Sequence, residues 1–139
     1  MKSLLTVTLL CLSAASPALG GEMTLPWPVS NNAVAFAQGP DGPTLYSFLG
    51  LGPGKSFRDI VRTAAACSLR TGQCTALPDV PLPQGRLAAT AATVGGKIHL
   101  LGGYSVDENA EETSNPEVLA FNPMTGTWQN RAPIPVRFA

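Results

Sequence analysis

Charge is scarce in this chain. Charged residues make up 13% of its 139 positions, with nine basic and nine acidic residues, and the basic ones are spread rather than clustered. With neither net positive charge nor a basic stripe, no attraction to nucleic acid or to an anionic membrane surface is expected. Long apolar runs are lacking as well. The run from Leu4 to Leu12 falls short of the roughly 20 residues a membrane-spanning helix needs, and no later segment is apolar enough to hold the chain in a bilayer. There is one histidine, His99. No Ser-His-Asp arrangement and no metal cluster can be assembled around it, so it reads as a packed strand residue, and neither a metal nor another cofactor is expected. Cysteine is limited to Cys11, Cys67 and Cys74.

The first segment reads as an export signal. Lys2 gives a positive start, Leu4 to Leu12 form the apolar stretch, and Ala18-Leu19-Gly20 supplies the small residues required at a scissile bond. Residues 1–20 are therefore assigned as a signal peptide, and the mature chain is expected to be secreted or periplasmic. Cys11 lies inside the apolar stretch behind Leu10, where a lipoprotein signal would have a small residue. Cleavage leaves Cys67 and Cys74, an even pair in an oxidising compartment, and a disulfide between them is expected.

Glycine and proline are frequent, with 14 and 13 residues scattered along the chain, as in a protein of short strands and many turns. The clearest unit runs over 86–136. Leu87-Ala-Ala-Thr-Ala-Ala-Thr-Val94 is a small, partly β-branched strand closed by Gly95-Gly96, and Lys97-Ile-His-Leu-Leu101 is a second strand ending at Gly102-Gly103. A polar loop from Ser105 to Asn115 follows. Glu117-Val-Leu-Ala-Phe121 is a third strand, Asn122-Pro-Met-Thr-Gly126 a turn, and Thr127-Trp128-Gln129 a fourth strand, before the exit Ala132-Pro-Ile-Pro135. Four short strands with turn chemistry between them make one antiparallel blade.

Residues 21–85 repeat this grammar more loosely. Asn32 to Ala37 and Thr44 to Leu49 flank a Gly-Pro turn, Gly50-Leu-Gly52 stands where the later unit has its glycine doublet, and Ile60 to Ser68 holds the third strand. Aligning Thr71-Gly72 with Thr125-Gly126 sets Cys67 on Phe121 and Cys74 on Trp128, and Pro78 to Pro83 matches the later exit. Cys67 and Cys74 then face each other across a hairpin. Residues 137–139 look like the start of a third repeat, with Arg137 placed as Arg86 is.

Val94-Gly-Gly-Lys-Ile-His-Leu-Leu-Gly-Gly103 followed by Val118-Leu-Ala-Phe-Asn-Pro-Met-Thr-Gly-Thr-Trp128 resembles a Kelch repeat. The resemblance implies an all-β fold: a Kelch-type β-propeller of about two four-stranded antiparallel blades, with the start of a third. Blades bury their faces on one another, so two of them leave apolar surface open; either the chain is a truncated piece of a longer one, or copies associate to complete a ring.

Gly50-Leu-Gly-Pro-Gly-Lys-Ser56 has Leu49 where a phosphate loop requires glycine, and reads as a loop between strands. Asp107 to Glu112 lacks the alternating ligands of an EF-hand and reads as solvated. In Kelch propellers the loops after the second strand, with those leading into the first, build the ligand face. The resemblance thus implies ligand-binding candidates at Lys55, Ser56, Arg58, Asp59, Arg86, Tyr104 and Arg137. Arginines there suit a carboxylate of a peptide or an acidic sugar.

The function expected is an exported module that binds a protein or carbohydrate ligand through its loops. The alternative is a sugar mutarotase, because Leu25-Pro-Trp-Pro-Val29 and Gly50-Leu-Gly52 are similar to exported Kelch enzymes that interconvert sialic acid anomers. A galactose-oxidase-like copper enzyme shares the fold, but would need histidine and tyrosine ligands that this chain scarcely has.

Overall fold

The computed structural model describes residues 22–135. The assigned signal peptide, Arg137 and the start of the third repeat lie outside them.

Two four-stranded antiparallel sheets make up the fold. The first, blade 1, contains β1 (Ala33–Gly39), β2 (Gly42–Leu51), β3 (Ile60–Ser68) and β4 (Cys74–Leu77), paired in chain order. The second, blade 2, contains β5 (Thr90–Val94), β6 (Lys97–Leu101), β9 (Val118–Asn122) and β10 (Thr127–Arg131), also paired in chain order. Between β6 and β9 lies a separate two-stranded ribbon, β7 (Tyr104–Val106) with β8 (Glu112–Ser114). The expected polar loop is thus a hairpin. Its three-residue strands are too short and too polar to stand out in the sequence.

Period-2 alternation sets the faces. In β1, Ala33, Ala35 and Ala37 turn into the interface between the blades, while Val34 and Phe36 turn outward. Alanines here let β1 and β5 lie side by side, and Thr93 of β5 donates a hydrogen bond to the Phe36 carbonyl. The core between the blades is centred on Phe48 and Ile98, both fully buried, with Leu100, Leu119 and Phe121 beside them. Aromatic rings join the sheets: Phe121 meets Phe48 edge-on at 5.6 Å between centroids, and Trp128 meets Phe48 at 5.4 Å. Each such buried side chain contributes on the order of 1.5–3 kcal/mol, with a further ~0.5–1.5 kcal/mol for a well-oriented aromatic pair.

The pairing registers show how the two units correspond. Cys67 pairs with Cys74 in blade 1 as Phe121 pairs with Trp128 in blade 2, and the two cysteines are disulfide-bonded with their Cα atoms 4.0 Å apart. The glycine doublet falls elsewhere than the sequence suggested. Bridge Ser30–Leu51 in blade 1 answers bridge Leu87–Tyr104 in blade 2, so Gly102-Gly103 corresponds to Leu49-Gly50, one position earlier than Gly50-Leu-Gly52. Leu49 adopts a left-handed φ of 63° although it is not glycine. Its side chain is 1% exposed, and that burial offsets the backbone cost.

Candidate functional site

The β1–β2, β3–β4, β5–β6 and β9–β10 turns lie at one end of the sheets. The loop 52–59, the linker 78–89 and the β7–β8 ribbon lie at the other. This second end carries those sequence-derived candidates that are described, and a cleft of about 480 Å³ opens there between the blades.

Each wall of the cleft is held by local chemistry. On the blade 1 side, Ser56 and Asp59 cap each other across a single 3-10 turn, Phe57–Asp59. The Ser56 amide donates to the Asp59 carboxylate at 3.0 Å, and its hydroxyl donates to the same oxygen. These bonds hold the Asp59 carboxyl below its ordinary value. The turn presents Phe57 and, just after it, Ile60 to the cleft. Arg58 does not line it; its guanidinium lies 5.0 Å from the centroid of the Phe57 ring. Lys55 sits exposed at the loop tip with a left-handed φ of 56°.

The linker supplies the floor. Arg62 fixes it by donating to the Leu82 carbonyl at 2.7 Å, and Val80 is fully buried beneath it. Gln84 and Gly85 then reach the cleft, where Gln84 donates to the buried Ser105 hydroxyl at 2.6 Å. On the blade 2 side the ribbon contributes Ser105, Val106, Asp107, Glu108, Glu111 and Thr113. Asp107 closes the ribbon's tip: one of its oxygens accepts from the amides of Asn109 at 2.8 Å and Glu111 at 2.9 Å, and those bonds lower its carboxyl from the ordinary value.

Arg86 lies apart from this cleft. It is 4% exposed, and its guanidinium donates to the carbonyls of Gly102 at 3.1 Å and Glu117 at 3.3 Å and pairs with the Glu117 carboxylate at 2.8 Å. Desolvation pushes its pKa down, and the charge of Glu117 opposes that push. Arg86 therefore braces the lead-in to β9 against the glycine doublet. Tyr104 pairs through its backbone with Leu87 and Ser114.

Of the sequence-derived candidates that are described, none lines this cleft; the residues that converge there include Phe57, Gln84, Ser105 and the ribbon acids. Asp107, Glu108 and Glu111 were legible as a polar run. The contact of Gln84 with Ser105, across 21 positions, carried no local signal. Among the described residues, no group of three or more His, Cys, Asp or Glu is placed to hold a metal ion. A second groove of about 600 Å³, with Tyr46, Leu77, Phe121 and Met124 in its walls, opens at the turn end. Tyr46 packs its hydroxyl by Thr44 there, and burial raises its phenol pKa.

No protein family matches the chain by sequence profile, and no curated protein matches it by sequence. Solved structures do. The chain superposes on YjhT with a TM-score of 0.63 at 21% identity, over 85% of this chain and 32% of that one. It also superposes on a fungal alcohol oxidase from among the AA5 family, in complex with copper, with a TM-score of 0.57 at 18% identity, over 78% of this chain and 23% of that one. With the two sheets and their repeated registers, these likenesses define the class by fold: all-β, two four-stranded blades of a Kelch-type β-propeller. The chain spans about a third of the length of YjhT and about a quarter of that of the oxidase.

Proposed function

We propose that this is an exported binding module whose loop-end cleft takes a carbohydrate. The observation that carries the reading is the composition of the cleft: the ribbon acids Asp107, Glu108 and Glu111 line one wall and Phe57 and Ile60 the other. Carboxylates accept hydrogen bonds from sugar hydroxyls, and an aromatic face suits the apolar side of a sugar ring. The same acids disfavour an anionic ligand, and Arg86, the residue best suited to a carboxylate, is engaged with Glu117. The Cys67–Cys74 bond supports export, because such bonds persist in oxidising compartments.

Neutral and amino sugars are therefore the expected ligands. Calorimetric titration of immobilisation-free protein with neutral, amino and acidic oligosaccharides tests this. Glu108→Gln with Glu111→Gln is expected to weaken the binding by about tenfold or more. Unchanged affinity in that variant, or a preference for acidic sugars, overturns the reading.

The mutarotase alternative rests on the sequence resemblance and on carboxylates in the cleft that could serve as acid and base. NMR of sialic acid anomers separates the two, since a pure binder leaves the interconversion rate at its uncatalysed value. The copper reading does not fit the residues present. Cys67 and Cys74 are bonded to each other, His99 lies in the middle of β6, and Tyr46 is buried beside Thr44.

A further inference from the structure

Gln84 is exposed, yet the backbone on either side of it is fixed. Before it, Arg62 holds the Leu82 carbonyl at 2.7 Å, and after it the Arg86 carbonyl accepts from the Gly50 amide at 3.2 Å. Gly85 next to it is buried so close to blade 1 that a Cβ atom there would come within 2.6 Å of the Ile60 carbonyl carbon. The side chain is held too. Its Nε2 donates to the Ser105 hydroxyl at 2.6 Å, and Ser105 is only 6% exposed.

Ser105 has a second donor. Asn115 is oriented by the bond from its Nδ2 to the Thr113 carbonyl at 3.0 Å, and the same nitrogen donates to the Ser105 hydroxyl at 3.4 Å. The hydroxyl would therefore keep a partner without Gln84, and what the contact adds is an ordered amide on the cleft floor. An exposed glutamine ordinarily loses its rotamer freedom when it binds a ligand, and here that loss precedes binding. With one Nε2 hydrogen on Ser105, the other hydrogen and Oε1 are left to face the cleft that Gln84 lines. The ribbon carboxylates beside it, when ionised, accept hydrogen bonds but donate none.

We propose that Gln84 is the specificity-determining residue of this cleft and reads two adjacent hydroxyls of a neutral sugar together. One hydroxyl donates to Oε1 while its neighbour accepts from the remaining Nε2 hydrogen. Ser105, with Asn115 behind it, is a positioning residue that acts through Gln84. The assignment rests on the carbohydrate reading above and narrows it to neutral saccharides whose adjacent hydroxyls are free. A sugar lacking one of the pair leaves half of the fixed amide unmatched.

Nuclear magnetic resonance and calorimetry test this on the intact chain. In the free protein the Gln84 side-chain amide should be ordered by nitrogen relaxation, and Ser105→Ala should release it while the Asn109 and Glu111 amides keep their shifts. The probes are cellotriose and maltotriose, whose rings carry adjacent free hydroxyls. Each should shift the Gln84 side-chain signal on binding, and Gln84→Ala, with unchanged far-ultraviolet dichroism, should weaken that binding by about tenfold or more. The parent should prefer both to chitotriose, whose acetamido groups break the hydroxyl pair on its inner ring, and Gln84→Ala should lose that preference. No binding of either probe overturns the neutral-sugar reading and the assignment that rests on it. Binding that Glu108→Gln with Glu111→Gln weakens, but Gln84→Ala does not, overturns the assignment alone, as does a disordered Gln84 amide in the free protein.

Discussion

A single guanidinium illustrates how much a side chain can brace. Arg86 lies in the linker ahead of β5, yet it holds the Gly102 carbonyl, the Glu117 carbonyl and the Glu117 carboxylate together. Glu117 is 58% exposed, so its removal would look harmless on a surface map. The expectation is the reverse. Glu117→Ala leaves a buried cation without its partner, and urea denaturation should show a loss of about 2–4 kcal/mol, larger than an exposed ion pair is worth. Arg86→Ala strands two carbonyls, each costing about 1–3 kcal/mol where water cannot reach it. The sequence marked Arg86 as a loop cation, but its partner lies 31 positions away, beyond any local pattern. Asp59 and Asp107 carry a different consequence. Both have folded-state pKa values below the ordinary one, because amides or a hydroxyl donate to their ionised carboxyls. Their contribution is present above the unfolded aspartate value, about pH 4, and is lost as pH falls through the folded values. Relative to their intrinsic exchange rates, the Ser56, Asn109 and Glu111 amides should therefore lose protection on acidification below about pH 4, ahead of the strands.

At the scale of the strand and the hairpin, the two blades solve one problem in two ways. Blade 2 joins β9 to β10 with Phe121 against Trp128, their rings 4.8 Å apart, while blade 1 joins β3 to β4 with a covalent bond at the same register. Reduction, or Cys67→Ser with Cys74→Ser, should lower stability by about 2–3 kcal/mol by the chain-entropy estimate for so short a loop, read as a shift in denaturant midpoint. This pairing was legible, because the Thr-Gly turns fix the hairpin registers on both sides. The glycine doublet was legible only in blade 2. In blade 1 a leucine takes a left-handed position normally given to glycine, and no sequence rule assigns that to Leu49. The importance of the doublet itself can be measured. At Gly103, with φ 86°, a Cβ atom would come within 2.7 Å of the Leu87 carbonyl. Gly103→Ala should cost more than about 1 kcal/mol and weaken the Leu87–Tyr104 bridge.

For the molecule as a whole, the blades are held together by side chains rather than by a continuous sheet. Thr93 to the Phe36 carbonyl is a hydrogen bond that crosses the interface, and most of the rest is the packing of Tyr46, Phe48, Ile98 and Phe121. Phe121→Ala should therefore cost about 3–5 kcal/mol and reduce the near-ultraviolet dichroism of the aromatic cluster before far-ultraviolet strand content changes. This level was the most legible, since four short strands per unit with turn chemistry between them make an antiparallel blade, and the Kelch resemblance implies that such blades stack. The position of the cleft was not, because it depends on where the ribbon folds back over the linker.

That ribbon has a further consequence. It is tied to blade 2 where it leaves and returns, through the Leu87–Tyr104 bridge and the Asn115 amide on the Gly103 carbonyl, while its tip is closed on itself by Asp107. Residues 107–111 can therefore be lengthened, shortened or replaced without disturbing the strand register on either side. The tip is a natural place to install a new specificity, and a library varied there would sample different recognition surfaces on one unchanged frame.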